Sequence, residues 1–387
     1  MREQFLGYPR PDGSVGVRNL LAVIPTCGCS QHAASLIAQQ VPGAALVEYN
    51  EGCGETQVDM EAHTQILSQL ARHPNVVGSL IVSLGCETLN AQDLAARAAA
   101  GWARSELLII QQEGGTRRTV ARGVALAREM LSAFAGAERV PCPVSALTIG
   151  LECGGSDATS GMAANPSMGA FSDLLAQRSA KVILAETSEL LGAEHVLTDR
   201  AASPAIAQRL LDTIDACERF LKSTGEDFVG KQPSPGNIQG GITTVEEKAL
   251  GDVLKGGSSP IVDVLAYAQP PTLPGLSFMD TPGNDLESVS GLVGAGAHIV
   301  VFTTGRGNPM GNAIAPVIKV TGNAHTYARM GDDIDIDAST VISGQETIEE
   351  VGVRIYDLCL CVASGEQPVA EVLGHREFLL VRTGPVY

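Results

Sequence analysis

The first third of the chain alternates short apolar runs with longer stretches in which apolar residues recur at helical spacing. Short apolar runs bounded by turn residues predict strands, and the amphipathic stretches predict helices. The order is strand, helix, strand, helix, which favours a parallel sheet with right-handed crossovers. The predicted strands are 20–25, 45–49, 76–84 and 106–111, and the predicted helices are 31–40, 58–72, 90–99 and 116–134.

A proline-rich break near residue 142 separates this region from a second alternating region. Its predicted strands include 145–151 and 182–186, and its predicted helices are 170–177, 203–223 and 348–363. A stretch rich in Gly, Pro and Ser, 230–257, is predicted to be a functional loop. The fold class is therefore α/β, with two domains, 1–142 and 143–387, built on mainly parallel sheets with flanking helices.

Composition narrows the classes of partner. The formal net charge of -17 argues against nucleic acid and anionic membrane surfaces, which attract electropositive proteins. No apolar stretch is long enough to span a bilayer, and the first residues lack the apolar core of a signal peptide. Nine cysteines are an odd number, which does not favour a disulfide framework. We expect a cytoplasmic protein with reduced thiols.

Three cysteines, Cys53, Cys86 and Cys153, occur in similar turns, each beside glycine and close to a predicted strand. If the strand ends meet at one rim, three thiolates could hold iron or zinc, or three corners of an iron–sulfur cluster. The alternative is that each is a small buried side chain beside glycine. The sequence leaves both readings open.

Glycine-rich loops supply candidate groups for binding a substrate. Arg117 and Arg118 open a predicted helix after Gly114 and Gly115, so backbone N–H groups and guanidinium groups could hold a carboxylate. The alternative is an ordinary helix start with solvated arginines. Ser156, Asp157 and Asn165 place hydroxyl, carboxylate and amide groups in one loop, and Asn237, Arg306 and Lys319 lie in or near other turns.

Candidate acids and bases follow the strand predicted at 182–186. Glu194 and His195 add a carboxylate and an imidazole, and histidine titrates near neutral pH. His195 is equally compatible with a structural role. Lys248 leads into a helix, where it could pair with a carboxylate.

Two other patterns do not carry their usual meaning. Gly305 and Gly307 are spaced as in a dinucleotide-binding loop, but 312–320 reads as a strand rather than the required helix. Asp333, Asp335 and Asp337 alternate with isoleucine without the glycine and glutamate of a calcium loop, so we predict an edge strand.

Taken in order, the motifs resemble the large domain of the altronate/galactarate dehydratase family, which includes the large subunit of sulfolactate sulfo-lyase. The motifs that carry the resemblance span nearly the whole chain; they are 7–8, 12–13, 16–19, 52–54, 84–87, 150–157, 165–166, 192–195, 233–241, 278–283 and 303–307.

The resemblance implies a metal-assisted lyase, usually dependent on Fe2+, that acts on a small hydroxy-carboxylate. The enzyme removes the proton next to the carboxylate and expels a β-substituent, which is water in the dehydratases and sulfite in the sulfo-lyase. Loss of water from a sugar acid gives a 2-keto-3-deoxy acid. Mn2+, Zn2+ or an iron–sulfur cluster are the alternative cofactors.

The resemblance also bears on partners. Family dehydratases often carry a small β-rich domain before the Gly7-Tyr8 motif, which here lies within ten residues of Met1. We therefore expect a separate small β-rich subunit and a homo-oligomer of the large chain. The turn 307–312 differs from that of altronate dehydratases, so a sulfo-lyase is the alternative activity. A non-enzymatic alternative is an anion-binding or thiol-redox sensor module.

Overall fold

A computed structural model describes residues 2–225 and 232–387 of the chain. Its helices and strands alternate, and each of the two larger sheets is entirely parallel. The strands are β1 (Gln4–Pro9), β2 (Val15–Gly16), β3 (Leu20–Pro25), β4 (Ala44–Leu46), β5 (Val76–Ser83), β6 (Arg104–Ile109), β7 (Val140–Pro143), β8 (Thr148–Cys153), β9 (Lys181–Leu184), β10 (Ile261–Leu265), β11 (Gly275–Met279), β12 (Ile299–Thr304), β13 (Val317–Thr321) and β14 (Ile336–Asp337).

Helices cover the faces of both parallel sheets. The α-helices of the described residues are α1 (Gly28–Gln39), α2 (Gln57–Ala71), α3 (Ala91–Ala99), α4 (Ile110–Glu113), α5 (Thr116–Ser132), α6 (Asn165–Ala176), α7 (Glu194–Thr198), α8 (Pro204–Ser223), α9 (Pro235–Gln239), α10 (Val245–Asp252), α11 (Asp285–Gly294), α12 (Ala324–Met330), α13 (Ser339–Ile342), α14 (Ile348–Ala363) and α15 (Val369–Leu373). The predicted α/β class with mainly parallel sheets and flanking helices is confirmed.

The four-stranded sheet has the order β4-β3-β5-β6, and the seven-stranded sheet has the order β10-β11-β9-β8-β12-β13-β14. Strand β5 is buried along its whole length, as its nearly continuous apolar sequence requires in a sheet covered on both faces. One hydrophobic core fills the space between the two sheets, where Leu67 of α2 and Leu292 of α11 belong to the same buried cluster. The sheets therefore share packing, and each also has a core on its far face.

A small antiparallel sheet of order β2-β1-β7 was not predicted from the sequence. Strand β1 pairs with β7 in a register that places Phe5 opposite Cys142. Arg18, just after β2, forms an ion pair with Glu371 of α15 at 2.7 Å. The first residues are thus tied to the last helices. A division between residues 142 and 143 falls inside β7 and stays a prediction.

Several boundaries differ from the predictions. The stretch predicted as the loop 230–257 contains α9, α10 and a 3-10 turn at Val253–Gly256, while residues 230 and 231 lie outside the described residues. Ser234 and Thr244 accept hydrogen bonds from backbone N–H groups of the first turns of α9 and α10, so the Ser- and Thr-rich stretch caps helices. The strand predicted at 312–320 begins only after Pro316, as β13. The predicted edge strand is β14, which is two residues long.

Candidate active site

The carboxyl ends of the seven-stranded sheet gather a group of buried charged side chains. Glu152 lies in β8, Glu186 follows β9, Lys319 lies in β13, and Lys255 comes from the 3-10 turn after α10. Each is at most 1% exposed to solvent. Burying an ionised group is costly unless another charge or a ligand compensates it, so four such groups in one sheet mark this end as the candidate site.

The Lys255 ammonium contacts two other buried side chains. It lies 2.9 Å from the Cys153 sulfur and forms an ion pair with Glu186. Although burial favours the neutral amine, the neighbouring Cys153 and Glu186 raise the pKa of Lys255 well above its ordinary value. Burial, followed by the charge of Asp252, raises the pKa of the Cys153 thiol. We therefore assign a charged Lys255 beside a protonated Cys153.

A second lysine bridges two carboxylates at the outer edge of the group. Lys248 of α10 pairs with Glu189 and lies 3.4 Å from Asp252, one helical turn further along. Asn165 donates to the same Asp252 at 3.4 Å and accepts from Thr303 at 2.6 Å. Burial opposes charge on Lys248, but Asp252 and Glu189 together raise its pKa above the ordinary value. Lys248 is thus held as an ammonium ion.

Three carboxylates form the most negative part of the site. One oxygen from each of Glu152, Glu186 and Asp285 lies within 4.8 Å of the other two. The Oε1 atoms of Glu152 and Glu186 are buried and accept no hydrogen bond. Burial and then the charge of Glu186 raise the pKa of Glu152 well above its usual range and that of Asp285 to about 7. Lys255 pairs with Glu186 through Oε2, so the unpartnered oxygens of this carboxylate triad are Oε1 of Glu152 and Oε1 of Glu186.

The backbone is unusual at two positions in or beside the triad, Glu186 and Gly154. Glu186 adopts a left-handed backbone conformation with φ of 75°, which residues other than Gly and Asn rarely adopt. Gly154 lies so close to its neighbours that an added Cβ would come within 2.3 Å of Asp285 Oδ2 and 2.7 Å of Phe302 Cζ. Glycine is required at 154 by this close approach.

Lys319 packs against Phe302, with its Nζ 3.8 Å from the ring centroid. It is fully buried, and Nζ has no hydrogen-bond partner. Burial lowers the pKa of Lys319 to about 7, and the charge of Asp285 opposes that shift only in part. Lys319 can therefore exist as a neutral amine near neutral pH, unlike Lys248 and Lys255.

Four of the predicted substrate-binding residues meet above the ends of β8 and β12. Asn237 donates from its amide to the Ser156 carbonyl at 2.8 Å, and Asp157 accepts from Asn323 at 2.7 Å. The Arg306 guanidinium donates to Gln239 at 2.8 Å. Ser156 and Asp157 line a cavity of 300 Å³ that also reaches Lys248. A second cavity of 280 Å³ is lined by Glu189 and Lys248.

The remaining predicted residues lie elsewhere. His195 is exposed on the short helix α7, and Glu194 accepts a hydrogen bond from the backbone of Gly192 at 2.7 Å. Arg117 and Arg118 are exposed at the start of α5, beside the four-stranded sheet. These four residues have no direct contact with the buried charges among the interactions described for residues 2–225 and 232–387. Their predicted roles stay predictions.

The three predicted cysteine ligands divide between the two parallel sheets. Cys53 and Cys86 are exposed in loops at the four-stranded sheet, whereas Cys153 is buried at the end of β8 in the seven-stranded sheet. Cys153 comes within metal-ligand range of Glu186 and Glu189, but neither of the other two cysteines belongs to such a group within the described chain. The structure therefore does not bring the three thiols together.

Sequence reasoning did not select the residues that dominate the site. Glu186 lies at the end of the strand predicted at 182–186, and Glu152 lies within the motif 150–157, but neither was predicted as a site residue. Lys255, Glu189 and Asp252 were missed. One signal for Lys255 is its position between Leu254 and the Gly256-Gly257 pair, since a lysine in an apolar turn has little water to reach.

The triad fits a divalent metal ion better than the group around Cys153 does. Its unpartnered carboxylate oxygens are hard donors of the kind that Fe2+, Mn2+ and Mg2+ accept. The group of Cys153, Glu186 and Glu189 already contains two ammonium groups, those of Lys255 and Lys248. Lys255 also pairs with Glu186 of the triad, but it does so through Oε2, whereas Oε1 of Glu186 and Oε1 of Glu152 have no partner, so the triad is the better metal site.

Comparison with known proteins gives a family match to each of two parts of the chain. Residues 144–386 match the family described as D-galactarate/altronate dehydratase, C-terminal, and residues 7–135 match D-galactarate dehydratase/altronate hydrolase, second domain. Both matches name the family that the sequence motifs resemble, so the predicted resemblance is confirmed.

Individual relatives cover nearly the whole chain. It is 36% identical to the (2R)-sulfolactate sulfo-lyase subunit beta of Chromohalobacter salexigens over 98% of this chain and 97% of that protein. It is 36% identical to altronate dehydratase of Bacillus subtilis over 98% of this chain and 78% of that protein. It is 35% identical to galactarate dehydratase (L-threo-forming) of Escherichia coli over 94% of this chain and 73% of that protein. The chain belongs to the D-galactarate/altronate dehydratase family of carbon–oxygen lyases.

Proposed function

We propose that this chain is the catalytic chain of a metal-dependent hydro-lyase that removes water from a sugar acid and yields a 2-keto-3-deoxy acid. The observation that carries the proposal is the buried carboxylate triad of Glu152, Glu186 and Asp285 beside the unpartnered amine of Lys319. An anionic metal site next to a buried base is suited to removing a proton adjacent to a carboxylate.

Glu152, Glu186 and Asp285 would hold the metal, for which we propose Fe2+, with Mn2+ and Zn2+ as alternatives. When bound, a divalent ion supplies positive charge that stabilises an enolate. An iron–sulfur cluster on Cys53, Cys86 and Cys153 is not the arrangement we propose, because those cysteines lie on two sheets.

Lys319 is the base that we propose for removing the α-proton. Its Nζ makes no hydrogen bond that would compete for the lone pair, and burial brings its pKa to about 7. The proton passes to Lys319 Nζ, and the electron pair of the broken C–H bond forms the C=C bond of the enol. The β-hydroxyl departs as hydroxide and takes a proton from solvent to become water, and the enol tautomerises to the keto acid. Lys248 is less suited as base, because Asp252 and Glu189 hold it in the charged form.

Lys248 instead suits the substrate carboxylate. It lines both cavities at this end of the sheet, where an anionic substrate needs a positive partner in a chain of net charge -17. Ser156 and Asp157 in the same 300 Å³ cavity offer a donor and acceptors for sugar hydroxyls. Asn237 supports this loop through the Ser156 carbonyl, and Arg306 flanks it.

The test is a substrate comparison on the complex of this chain with its small subunit, purified from its own cells without oxygen and supplied with Fe2+. Altronate, galactarate and sulfolactate are offered separately; keto acid is measured as its semicarbazone, and sulfite is measured with a thiol-specific disulfide reagent. Formation of keto acid from one of the two sugar acids, without sulfite from sulfolactate, is expected. Absence of elimination with all three substrates would overturn the proposal.

A sulfolactate sulfo-lyase is the second candidate. The relative named as that enzyme's subunit beta is as similar to this chain, at 36% identity, as the dehydratase of Bacillus subtilis is. Asn308, in the turn that differs from altronate dehydratases, donates to Asp285 of the triad at 2.6 Å, so that turn touches the reacting centre. Release of sulfite with no turnover of the sugar acids would select this candidate.

We also propose that the chain works as a cytoplasmic homo-oligomer together with a small β-rich subunit. A relative named as a subunit beta supports a multi-subunit enzyme, and all nine cysteines are free thiols. In the described parts of the chain, every helix is too short or too polar to cross a bilayer. Native mass spectrometry of the complex from its own cells tests the assembly: a second, smaller chain is expected, and copies of one chain alone would contradict it.

A further inference from the structure

A second buried group lies at the carboxyl end of the four-stranded sheet, away from the site described above. Glu51 and Glu55 belong to the loop between β4 and α2, and His63 lies on α2. One carboxylate oxygen of each glutamate and one ring nitrogen of His63 lie within 4.8 Å of one another. Three ligand atoms of this kind at this spacing need little movement to contact one ion.

The hydrogen-bond pattern of His63 directs a lone pair into the group. Nε2 lies 3.0 Å from the Val381 carbonyl oxygen, which only accepts, so Nε2 carries a hydrogen. In the neutral ring Nδ1 is then unprotonated, 3.0 Å from the Tyr49 hydroxyl and 3.2 Å from Glu55 Oε2. A histidine whose second nitrogen donates to a carbonyl is the usual arrangement of a metal ligand.

The glutamates add acceptors that have no donor. Glu55 is fully buried; its Oε1 accepts from the Gly52 N–H at 2.8 Å, whereas its Oε2 accepts no hydrogen bond. Glu51 Oε2 is also buried without a hydrogen bond. The Arg382 guanidinium lies 4.0 Å from the other oxygen of Glu51, Oε1. Two buried carboxylate oxygens without a hydrogen bond, one from each glutamate, thus lie in the same group as His63 Nδ1, whose neighbours are the Tyr49 hydroxyl and Glu55.

We propose that Glu51, Glu55 and His63 bind a divalent transition-metal ion of the Zn2+ class, separate from the carboxylate triad. One imidazole and two carboxylates form a mixed nitrogen and oxygen set, which suits Zn2+ and its neighbours better than Ca2+ or Mg2+. Cys53 lies in the same loop but is exposed, so the carboxylates on either side of it, rather than its thiol, provide the ligands.

The ion would fasten three parts of the chain to one another. His63 holds Val381, and Asp59, one turn earlier on α2, accepts from the N–H groups of Thr383 and Gly384 at 2.8 and 2.9 Å. Ligands from the loop and from α2 therefore stabilise the docking of residues 381–384. This role does not rest on the proposed elimination reaction.

Zinc content of the purified full chain after dialysis tests the site. His63→Gln and Glu55→Gln are expected to lower zinc by one equivalent per chain, both alone and combined with Asp285→Asn. The combination removes the triad's metal, so failure of this site and failure of the proposed active site give different results. Glu61→Gln, which removes an exposed carboxylate from α2 paired with Arg97, and Cys53→Ser are expected to keep the wild-type content.

Unchanged zinc content in both His63→Gln and Glu55→Gln would overturn the proposal, because it would show that these side chains do not bind the metal. If those variants do not fold, hydrogen exchange of the wild-type chain decides the matter. Added Zn2+ is expected to slow exchange in peptides covering 51–63 and 379–387. Equal exchange in those peptides with and without Zn2+ would also overturn it.

Discussion

The side-chain nitrogen of Lys255 lies 2.9 Å from the sulfur of Cys153, although 102 residues separate them along the chain. The same ammonium group pairs with Glu186, so one buried lysine compensates the charge of that carboxylate while it contacts the thiol. This contact joins the loop after α10 to the ends of β8 and β9. It also leaves the other oxygen of Glu186 free to face Glu152 and Asp285.

Replacing Lys255 should therefore cost stability. Lys255→Met leaves Glu186 buried without its partner, and removing one member of a buried pair typically costs about 3–5 kcal/mol. Urea unfolding followed by circular dichroism measures the difference. The control is Lys222→Met, which removes an exposed lysine paired with Glu218 and should change the free energy of unfolding by less than about 1 kcal/mol. Equal, small effects of the two changes would contradict the role given to Lys255.

Gly154 should tolerate no side chain. The methyl group of Gly154→Ala would meet Asp285 and Phe302 at 2.3 and 2.7 Å, and overpacking of this kind costs about 1–3 kcal/mol. Because Asp285 must move to make room, metal content should fall as well. Gly136→Ala is the control, since a Cβ there has no neighbour within 4 Å. Wild-type metal content in Gly154→Ala would show that the triad does not depend on this close approach.

Lys319 should control the pH dependence of turnover. A base must be neutral to accept a proton, so kcat/KM of the wild type should rise with pH through the pKa of Lys319, near 7. Lys319→Met should lower kcat by roughly 10²–10⁴-fold. It should not lower stability at pH 7, because the Lys319 Nζ atom has no hydrogen bond to lose and burial disfavours its charged form.

Lys319→Arg gives the complementary result, because arginine stays charged and cannot act as a base. Both variants are measured from pH 5 to 9 in the same buffer series. A variant that retains the wild-type rate and pH profile would assign the base to another group.

Metal should stabilise the protein more at high pH than at low pH. Burial raises the pKa of Asp285 to about 7, above the roughly 3.9 of an unfolded aspartate. Between roughly pH 3.9 and pH 7, the metal-free folded state holds one more proton, on Asp285, than the unfolded state does. The free energy of unfolding therefore falls as pH rises through that range. A metal ion must displace this proton. The rise in melting temperature caused by Mn2+ should be larger at pH 8 than at pH 5, and an equal rise at both would contradict this linkage.

Much of the architecture follows from the sequence. The strand predicted at 20–25 coincides with β3, because it is a short continuous apolar run, and the helix predicted at 348–363 coincides with α14, because sixteen residues show one clear helical periodicity. The antiparallel pairing of β1 and β7 could not be predicted this way. It joins segments more than a hundred residues apart, and each is short and rich in proline and glycine.

The sequence motifs indicate the end of the sheet at which the candidate site lies, but they do not identify most of the residues that form it. Ser156, Asp157, Asn165 and Asn237 meet at the carboxyl ends of the strands, where ligands of parallel sheets bind. The grouping of Cys53 with Cys153 assumed one rim, whereas the chain builds two parallel sheets. Lys255 and Asp252 come from a stretch read as a loop, and their importance depends on burial, which single-sequence patterns do not reveal.

The most direct test of the account measures iron content and turnover together on one sample of Asp285→Asn. Glu287→Gln is the matched control, since Glu287 lies two residues further along α11 and outside the triad. The account predicts that Asp285→Asn loses both bound iron and elimination activity, while Glu287→Gln keeps both. Full iron content and wild-type turnover in Asp285→Asn would contradict the assignment of the active site.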